Sequence, residues 1–468
     1  MPAQPLFIGG TSSNAGKSWM ATAICAWLKR RGVAVAPFKA QNMSNNSYPC
    51  REGGEIGRAQ VAQAEACGLE PETAMNPILI KPNGTGSSQI VVNGRVWKTL
   101  PPRGYYEHAA ELRRHVLAAY EELARRFDVV VIEGAGSVSE LNLRQADLVN
   151  LDLVTRLRAP WLLVADIERG GVFASILGTV GLLTSDERGL LRGFAVNKFR
   201  GDISLFEDGA AMLEARTRSR CFGIFPYASD ISLDAEDTLA LETGPRMLAP
   251  AGARIAIVRM PCLANATDFR LLSWADWIQS PPAGDYDYVV LPGTKNSIGD
   301  LNWLNSSGLS AWILAQRRRG ATVIGICGGF QMMGRRIDDP LGVEGGGSAN
   351  GLGLLPVVTV MKAEKRTEVK PAITRGGVRF TGYEIHMGET SFEGSVPPFA
   401  RFDDGTTDGA RLPGAIGTYL HGALENADVC VELFGVPMGA LVPKRDHYER
   451  LADWLERHGR GLDKLLTA

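Results

Sequence analysis

The chain begins with a short apolar run, Leu6-Phe7-Ile8, that leads directly into GGTSSNAGKS (9–18) and then a helix-like segment. No other stretch restricts the fold as much. A Gly-rich loop between a buried strand and a helix leaves amide N–H groups free and aims a helix start at one point. That is how a parallel α/β sheet holds a phosphate. Lys17 supplies a cation for β/γ-phosphates and Ser18 a hydroxyl for Mg²⁺. The loop is longer than the ordinary Gly-x4-Gly-Lys-Ser/Thr spacing, because five residues, Thr11 to Ala15, separate Gly10 from Gly16. The expected phosphate contacts are Gly10, Thr11, Asn14, Gly16, Lys17 and Ser18.

The rest of the first half repeats strand, turn and helix. Runs at 33–38, 129–132, 161–165 and 193–196 are largely apolar, as expected of strands covered on both faces of a parallel sheet. Segment 18–30 carries Met20, Ile24, Trp27 and Leu28 at helical spacing and stops before Gly32, a left-handed cap. DVVVIEGAGS (128–137) puts Glu133 at the carboxyl edge of a strand, where open α/β sheets bind ligands. Glu133 is therefore expected to share Mg²⁺ with Ser18, and Glu55 in GGEIGRAQ is a further metal candidate. Asp166 in LLVADIERGGVF ends a strand in the same way. Asn197 in AVNKFRGD occupies a place from which an amide can read a base edge.

A chain of 468 residues exceeds one ordinary core. The Pro/Gly-rich stretch LETGPRMLAPAGA (241–253) reads as a boundary, and a second α/β series follows at 255–258, 288–291 and 322–326. VEGGGSANGLG (343–353) reads as a flexible loop, and Leu451, Trp454 and Leu455 mark a terminal helix. The expected domains are 1–240, 253–437 and a helical tail, 438–468. Lys+Arg number 50 against Asp+Glu 51, so no basic field would gather nucleic acid. Seven scattered cysteines without a CxxC pair fit neither a disulfide framework nor a structural zinc site. With no basic leader and no apolar run near 18 residues, the expectation is a cytoplasmic protein without a membrane anchor.

VIGICGGFQMMG (323–334) dominates the second half. An apolar strand ends in Gly325-x-Cys327-x-Gly329 before a helix-like stretch, the thiol counterpart of a nucleophile elbow. A helix start there favours the thiolate. His421 in GTYLHG is the expected base and His386 in GYEIHMG the runner-up; the other four histidines read as solvated. Amides of Gly328 and of Gly293, in the LPGTKNS turn, are expected to form an oxyanion hole.

These motifs carry family resemblances. GTSSNAGKS resembles the loop of the dethiobiotin synthetase branch of P-loop enzymes, which implies ATP-driven activation of a carboxylate. The Cys327 and His421 motifs resemble a class I glutamine amidotransferase, which implies ammonia release from L-glutamine through a Cys thioester. Where such domains carry Glu two residues after the His, this chain has Ala423. A Cys–His dyad, or a ring oriented by Glu425 or Glu384, remain open. Further motifs are PFKAQNMSNNS (37–47), MNPILIKP (75–82), ADIERGGVFAS (165–175), NKFRGD (197–202) and LPGTKNSIGDL (291–301). With them the whole chain resembles the cobyric acid/cobyrinic acid a,c-diamide synthase family. Asn42, where the diamide branch tends to have Asp, favours the cobyric acid branch.

The resemblance implies two α/β domains, a P-loop parallel-sheet domain followed by a class I amidotransferase domain. It also implies amidation of the b, d, e and g carboxylates of adenosylcobyrinic acid a,c-diamide with ATP, Mg²⁺ and glutamine. Cys327 would be the nucleophile and His421 its partner, with Lys39, Asn42, Lys81 and Asp166 near the corrinoid. Tyr48, Trp97 and Tyr105 are candidate cleft aromatics. The competing readings are a,c-diamide synthesis and, from another class, a partitioning-type P-loop ATPase carrying an inactive amidotransferase module.

Overall fold

The computed structural model describes residues 3–82, 86–228, 231, 233, 253–441 and 444–466. All but the last residue of the Pro/Gly-rich stretch at 241–253 lie outside the described residues. The first sheet has six strands in the order Arg220–Pro226, Leu191–Phe199, Trp161–Asp166, Gln4–Gly10, Val129–Glu133 and Val35–Phe38. All neighbours are parallel. Strand residues such as Val129–Glu133 are buried along their whole length, which explains their unbroken apolar runs. Register places Ile8 opposite Glu133, Gly10 opposite Val164, and Asp166 opposite Asn197. The loop and the three strand-end polar residues therefore share one edge.

The second six-stranded sheet runs Asp276–Ile278, Ile255–Val258, Tyr288–Leu291, Thr322–Ile326, Ala415–Thr418 and Ala410–Leu412, antiparallel only at the last pair. A long hairpin, Val357–Thr374 with Arg379–Phe392, stands against it. The expected flexible loop is partly ordered: Gly347–Asn350 pairs antiparallel with Arg336–Asp339. Its turn is drawn together by Asp339, whose carboxylate accepts from the amides of Val343, Glu344 and Gly346 at 2.8–2.9 Å.

Between the sheets lies a four-stranded layer, Gln41–Met43, Ile78–Pro82, Ser88–Val92 and Arg95–Leu100. The tail does not stand apart. Helix Lys444–His458 returns to the first sheet and packs along helix Lys17–Arg30. Trp454 stacks edge-on to Trp19 at 5.9 Å and donates to the Pro226 carbonyl at 3.0 Å. Leu451 and Leu455 are fully buried in the same core, each contributing about 1.5–3 kcal/mol of burial. His447, expected in solvent, is buried on this helix.

Candidate active sites

The phosphate loop sits at the centre of the first sheet. Thr11 donates its amide to the Val164 carbonyl at 3.0 Å, and Asn14 and Gly16 adopt left-handed backbone (φ 60° and 98°). A side chain at Gly16 would collide with the Asn197 amide. Lys17 folds across the loop, its ammonium 3.1 Å from the Ser12 carbonyl and 2.8 Å from that of Gly136. Ser18 donates to Glu133 at 2.7 Å, and Lys39 lies 2.9 Å from the same carboxylate oxygen. Burial alone would raise Glu133, but Lys39, Ser18 and Gln63 hold it below the usual carboxylate range. A hydroxyl and an ionised carboxylate meeting beside the phosphate loop are hard oxygen donors of the type Mg²⁺ takes, one or two from protein and the rest from phosphate or water. The donor set fits that ion. Lys17, Lys39, Asn42, Tyr105 and Tyr106 line a cleft of about 730 Å³ that extends from the loop.

The back wall of this cleft is a β-ribbon, and strand alternation makes it two-faced. Ile80, Pro82, Ser88 and Ile90 face the cleft, whereas Lys81 and Gln89, paired across the ribbon, face the opposite way. The opposite side is a small cavity of about 40 Å³ containing Cys327, enough for a few water molecules or a small polar chain. One sheet layer separates the two sites.

Cys327 follows strand Thr322–Ile326 with φ 52° and ψ −109°, strained backbone for a residue with a side chain. The flanking glycines are required by contact. A side chain on Gly329 would collide with the Leu291 carbonyl, and one on Gly325 would lie 2.6 Å from Met333 Sδ. The turn thus holds the thiol out of the strand. His421 is buried just beyond strand Ala415–Thr418, close enough to Cys327 for the two to interact electrostatically, while the thiol itself lies 4.0 Å from the Ile385 carbonyl. Its Nδ1 lies 2.7 Å from Asp268 Oδ2, and the other Asp268 oxygen accepts from the Gly422 amide at 2.9 Å. Donation from Nδ1 leaves Nε2 for the sulfur. Burial would depress the imidazole, but Asp268 and Cys327 push it up to about 10. Gly293 lies against the His421 ring and Gly328 against Thr294, so both oxyanion candidates border the thiol turn.

The first domain buttresses this site. Tyr383 stacks on His421 at 5.2 Å and 20°. Arg58 lies 5.7 Å from the Tyr383 ring and pairs with Glu425. The Ser47 amide donates to Asn265, three residues before Asp268, at 3.0 Å.

Comparison with known proteins then decides the family. Residues 6–240 match a CobQ/CobB/MinD/ParA nucleotide binding domain, and residues 254–429 a CobB/CobQ-like glutamine amidotransferase domain. The chain is 41% identical to a cobyric acid synthase of Parabacteroides distasonis, covering 97% of both chains. It is 42% identical to one of Syntrophobacter fumaroxidans, again over 97% of each. The chain belongs to the cobyric acid synthase family. A PurLQS structure from Thermotoga maritima matches 43% of this chain and 97% of its own at 15% identity, with a TM-score of 0.29.

Within this member of the cobyric acid synthase family, several residues sit elsewhere than expected. Glu55, a candidate metal ligand, is fully buried and paired with Lys81 and, from the second domain, Lys365. It is an interdomain ion cluster, far better described by its cations than by any metal. Lys81, expected at the corrinoid, faces the Cys327 cavity because alternation reverses it relative to Ile80 and Pro82. Asp166 pairs with Lys198 at 3.0 Å and does not line the cleft. Asn197 donates to the Ala15 carbonyl at 3.0 Å, bracing the loop rather than facing a base. Tyr48 packs on Tyr383 at the domain interface, and Trp97 packs on His108; of the three aromatics only Tyr105 lines the cleft.

The orienting acid is neither Glu425 nor Glu384. Glu425 is taken by Arg58 and Glu384 by Arg366 at 2.7 Å. Asp268 holds the place, 153 residues before its His, and no local motif announces it. His386 lines the same cavity but lies flat on Tyr419 at 3.8 Å.

Proposed function

We propose that the chain is an ATP- and glutamine-dependent ligase that amidates the b, d, e and g carboxylates of adenosylcobyrinic acid a,c-diamide. The observation that carries this reading is a Cys–His–Asp set and a phosphate loop placed on opposite faces of one ribbon, in a chain collinear with cobyric acid synthases. Residues 253–437 form the glutaminase unit, and residues 1–240 with the terminal helix form the synthetase unit.

Cys327 Sγ attacks the glutamine carboxamide carbon, and the developing oxyanion meets the amides of Gly328 and Gly293. His421, held by Asp268, delivers a proton to the departing ammonia. It then takes one from the water that cleaves the thioester to glutamate. In the cleft, Lys17 and the loop amides hold the ATP phosphates while the γ-phosphoryl passes to a corrinoid carboxylate. Ammonia attacks the acyl carbon, and phosphate leaves with the bonding electrons. Ser18 and Glu133 would hold Mg²⁺, which when bound neutralises charge on the phosphates. Lys39 is placed to shield Glu133.

Among the described residues no helix is long and apolar enough to cross a membrane. A cytoplasmic location suits the free, mostly buried thiols. The test is incubation with ATP, Mg²⁺, glutamine and adenosylcobyrinic acid a,c-diamide, followed by mass analysis. Four successive amidations are expected. An inert a,c-diamide together with two amidations of cobyrinic acid would assign the other branch instead.

A further inference from the structure

Of the ionisable side chains lining the cavity at Cys327, Lys81 and Lys365 pair with Glu55 and His386 with the Gly388 carbonyl, which leaves Lys295 and Glu344 without an ion-pair partner among the described residues and without a role in the reaction above. Lys295 lies two residues beyond Gly293 on a rigid segment. Gly293–Thr294 pairs with Leu263–Ala264, and the Lys295 amide donates to the Cys262 carbonyl at 3.0 Å. Its ammonium lines the cavity and makes no hydrogen bond or ion pair among the described residues. Glu344 lines the same cavity, on the turn that Asp339 gathers through its backbone amides. One of its oxygens accepts from the Ser297 amide at 2.9 Å.

Both groups are poorly compensated as they stand. Burial and the neighbouring Lys365 lower the Lys295 ammonium, while Glu55 and Glu344 act in the opposite direction. Burial pushes the Glu344 carboxyl up to about 7 against the pull of Ser297 and Lys295. Charges partly withdrawn from water without an ion-pair partner are destabilised, and a ligand carrying the complementary charges relieves that. A free α-amino acid carries both.

We propose that Lys295 binds the α-carboxylate and Glu344 the α-ammonium of glutamine, resting on the assignment of Cys327 as the glutaminase nucleophile. Two strand residues span about 6–7 Å. A glutamine carboxamide at the Gly293 and Gly328 amides therefore brings its amino-acid head, about 5 Å away when extended, within reach of Lys295. Lys295 and Glu344 are specificity-determining residues: they select free glutamine over glutamine within a peptide, which lacks both head charges.

The test uses amides that lack one charge each, 4-aminobutanamide without the carboxylate and glutaramic acid without the ammonium, with ammonia release as the readout. Wild-type kcat/KM should be about 100-fold lower for either than for glutamine. Lys295→Met should lower kcat/KM for glutamine about 100-fold, mainly through KM, and leave that for 4-aminobutanamide within about 3-fold. Glu344→Gln should behave in the same way toward glutaramic acid. Lys295→Arg should recover part of the glutamine activity. The unchanged analogue rate is an internal control for folding. Equal losses on glutamine and 4-aminobutanamide in Lys295→Met would overturn the assignment. A wild-type protein that hydrolyses no glutamine, or a Cys327→Ala variant that still does, would instead remove the glutaminase reading beneath it.

Discussion

The phosphate loop and the thiol turn are both strand-to-helix junctions at the carboxyl edge of a parallel sheet, yet they are built on opposite principles. The loop is open: Ser12, Ser13 and Asn14 are exposed, and Lys17 rests on backbone carbonyls that a phosphate can replace. On the proposed reading the phosphates of ATP arrive from solvent and complete the site. The thiol turn is closed: Cys327, His421 and Asp268 are all buried, and His421 is already hydrogen-bonded to Asp268. On the proposed reading it makes the thiol reactive before any ligand arrives, through the strained backbone at Cys327 and the buried His421–Asp268 pair. The open site's phosphate loop is built within one domain, and of the other only Pro261 and Leu263 border its cleft. The closed one is held in part by Arg58 and Ser47 of the other. A site that concentrates charge tolerates solvent, whereas a site that tunes a proton does not.

The largest effects should separate the two sites. Lys17→Ala is expected to abolish amidation with either glutamine or ammonium salt. Cys327→Ala should abolish glutamine-driven amidation, by about 10⁴-fold or more, and retain the ammonium-driven reaction. Product formation with each nitrogen source checks both, and loss of both activities in Cys327→Ala would erase the distinction drawn above.

Next in size, Asp268→Asn should lower glutaminase kcat by about 10³-fold with little change in KM. Glu425→Gln and Glu384→Gln should stay within about 10-fold on the same assay. Arg58→Met probes the buttress from the other domain and should lower glutamine hydrolysis about 10-fold through Tyr383, measured as ammonia released per minute.

The smallest effect concerns stability. The folded His421 titrates near 10, against about 6.5 when unfolded. The imidazolium–Asp268 pair therefore contributes its full stability below about pH 6.5, and this contribution declines through the alkaline range until it is gone above about pH 10. Urea unfolding of wild type should show the decline and Asp268→Asn should flatten it. A wild-type slope that Asp268→Asn leaves unaltered would detach the pair from the fold.

Legibility followed the same division. Residues 9–18 are contiguous, so their spacing alone placed Lys17 and Ser18, and Glu133 followed from the end of its apolar strand. The elbow at Cys327 was legible because its glycines answer contacts that recur at any such turn. Lys81 was misplaced because a single-residue change of strand face moves a side chain from one site to the other, and nothing local marks which face is which; Glu55 was misplaced because its cation Lys365 lies 310 residues further along the chain. Asn197 was read from its strand end, but only the packed loop shows that it serves Ala15.

By itself the sequence determined the strand–loop–helix nucleus, the strands of the two α/β units and the thiol turn, because each depends on a local pattern within about ten residues; His421 rested on its motif and a family resemblance. Tertiary structure alone decided that Asp268 orients His421, that Lys365 meets Glu55, and that the terminal helix closes the first core. Those pairings join charges and apolar faces far apart along the chain, and their energies depend on distance and burial that exist only after folding.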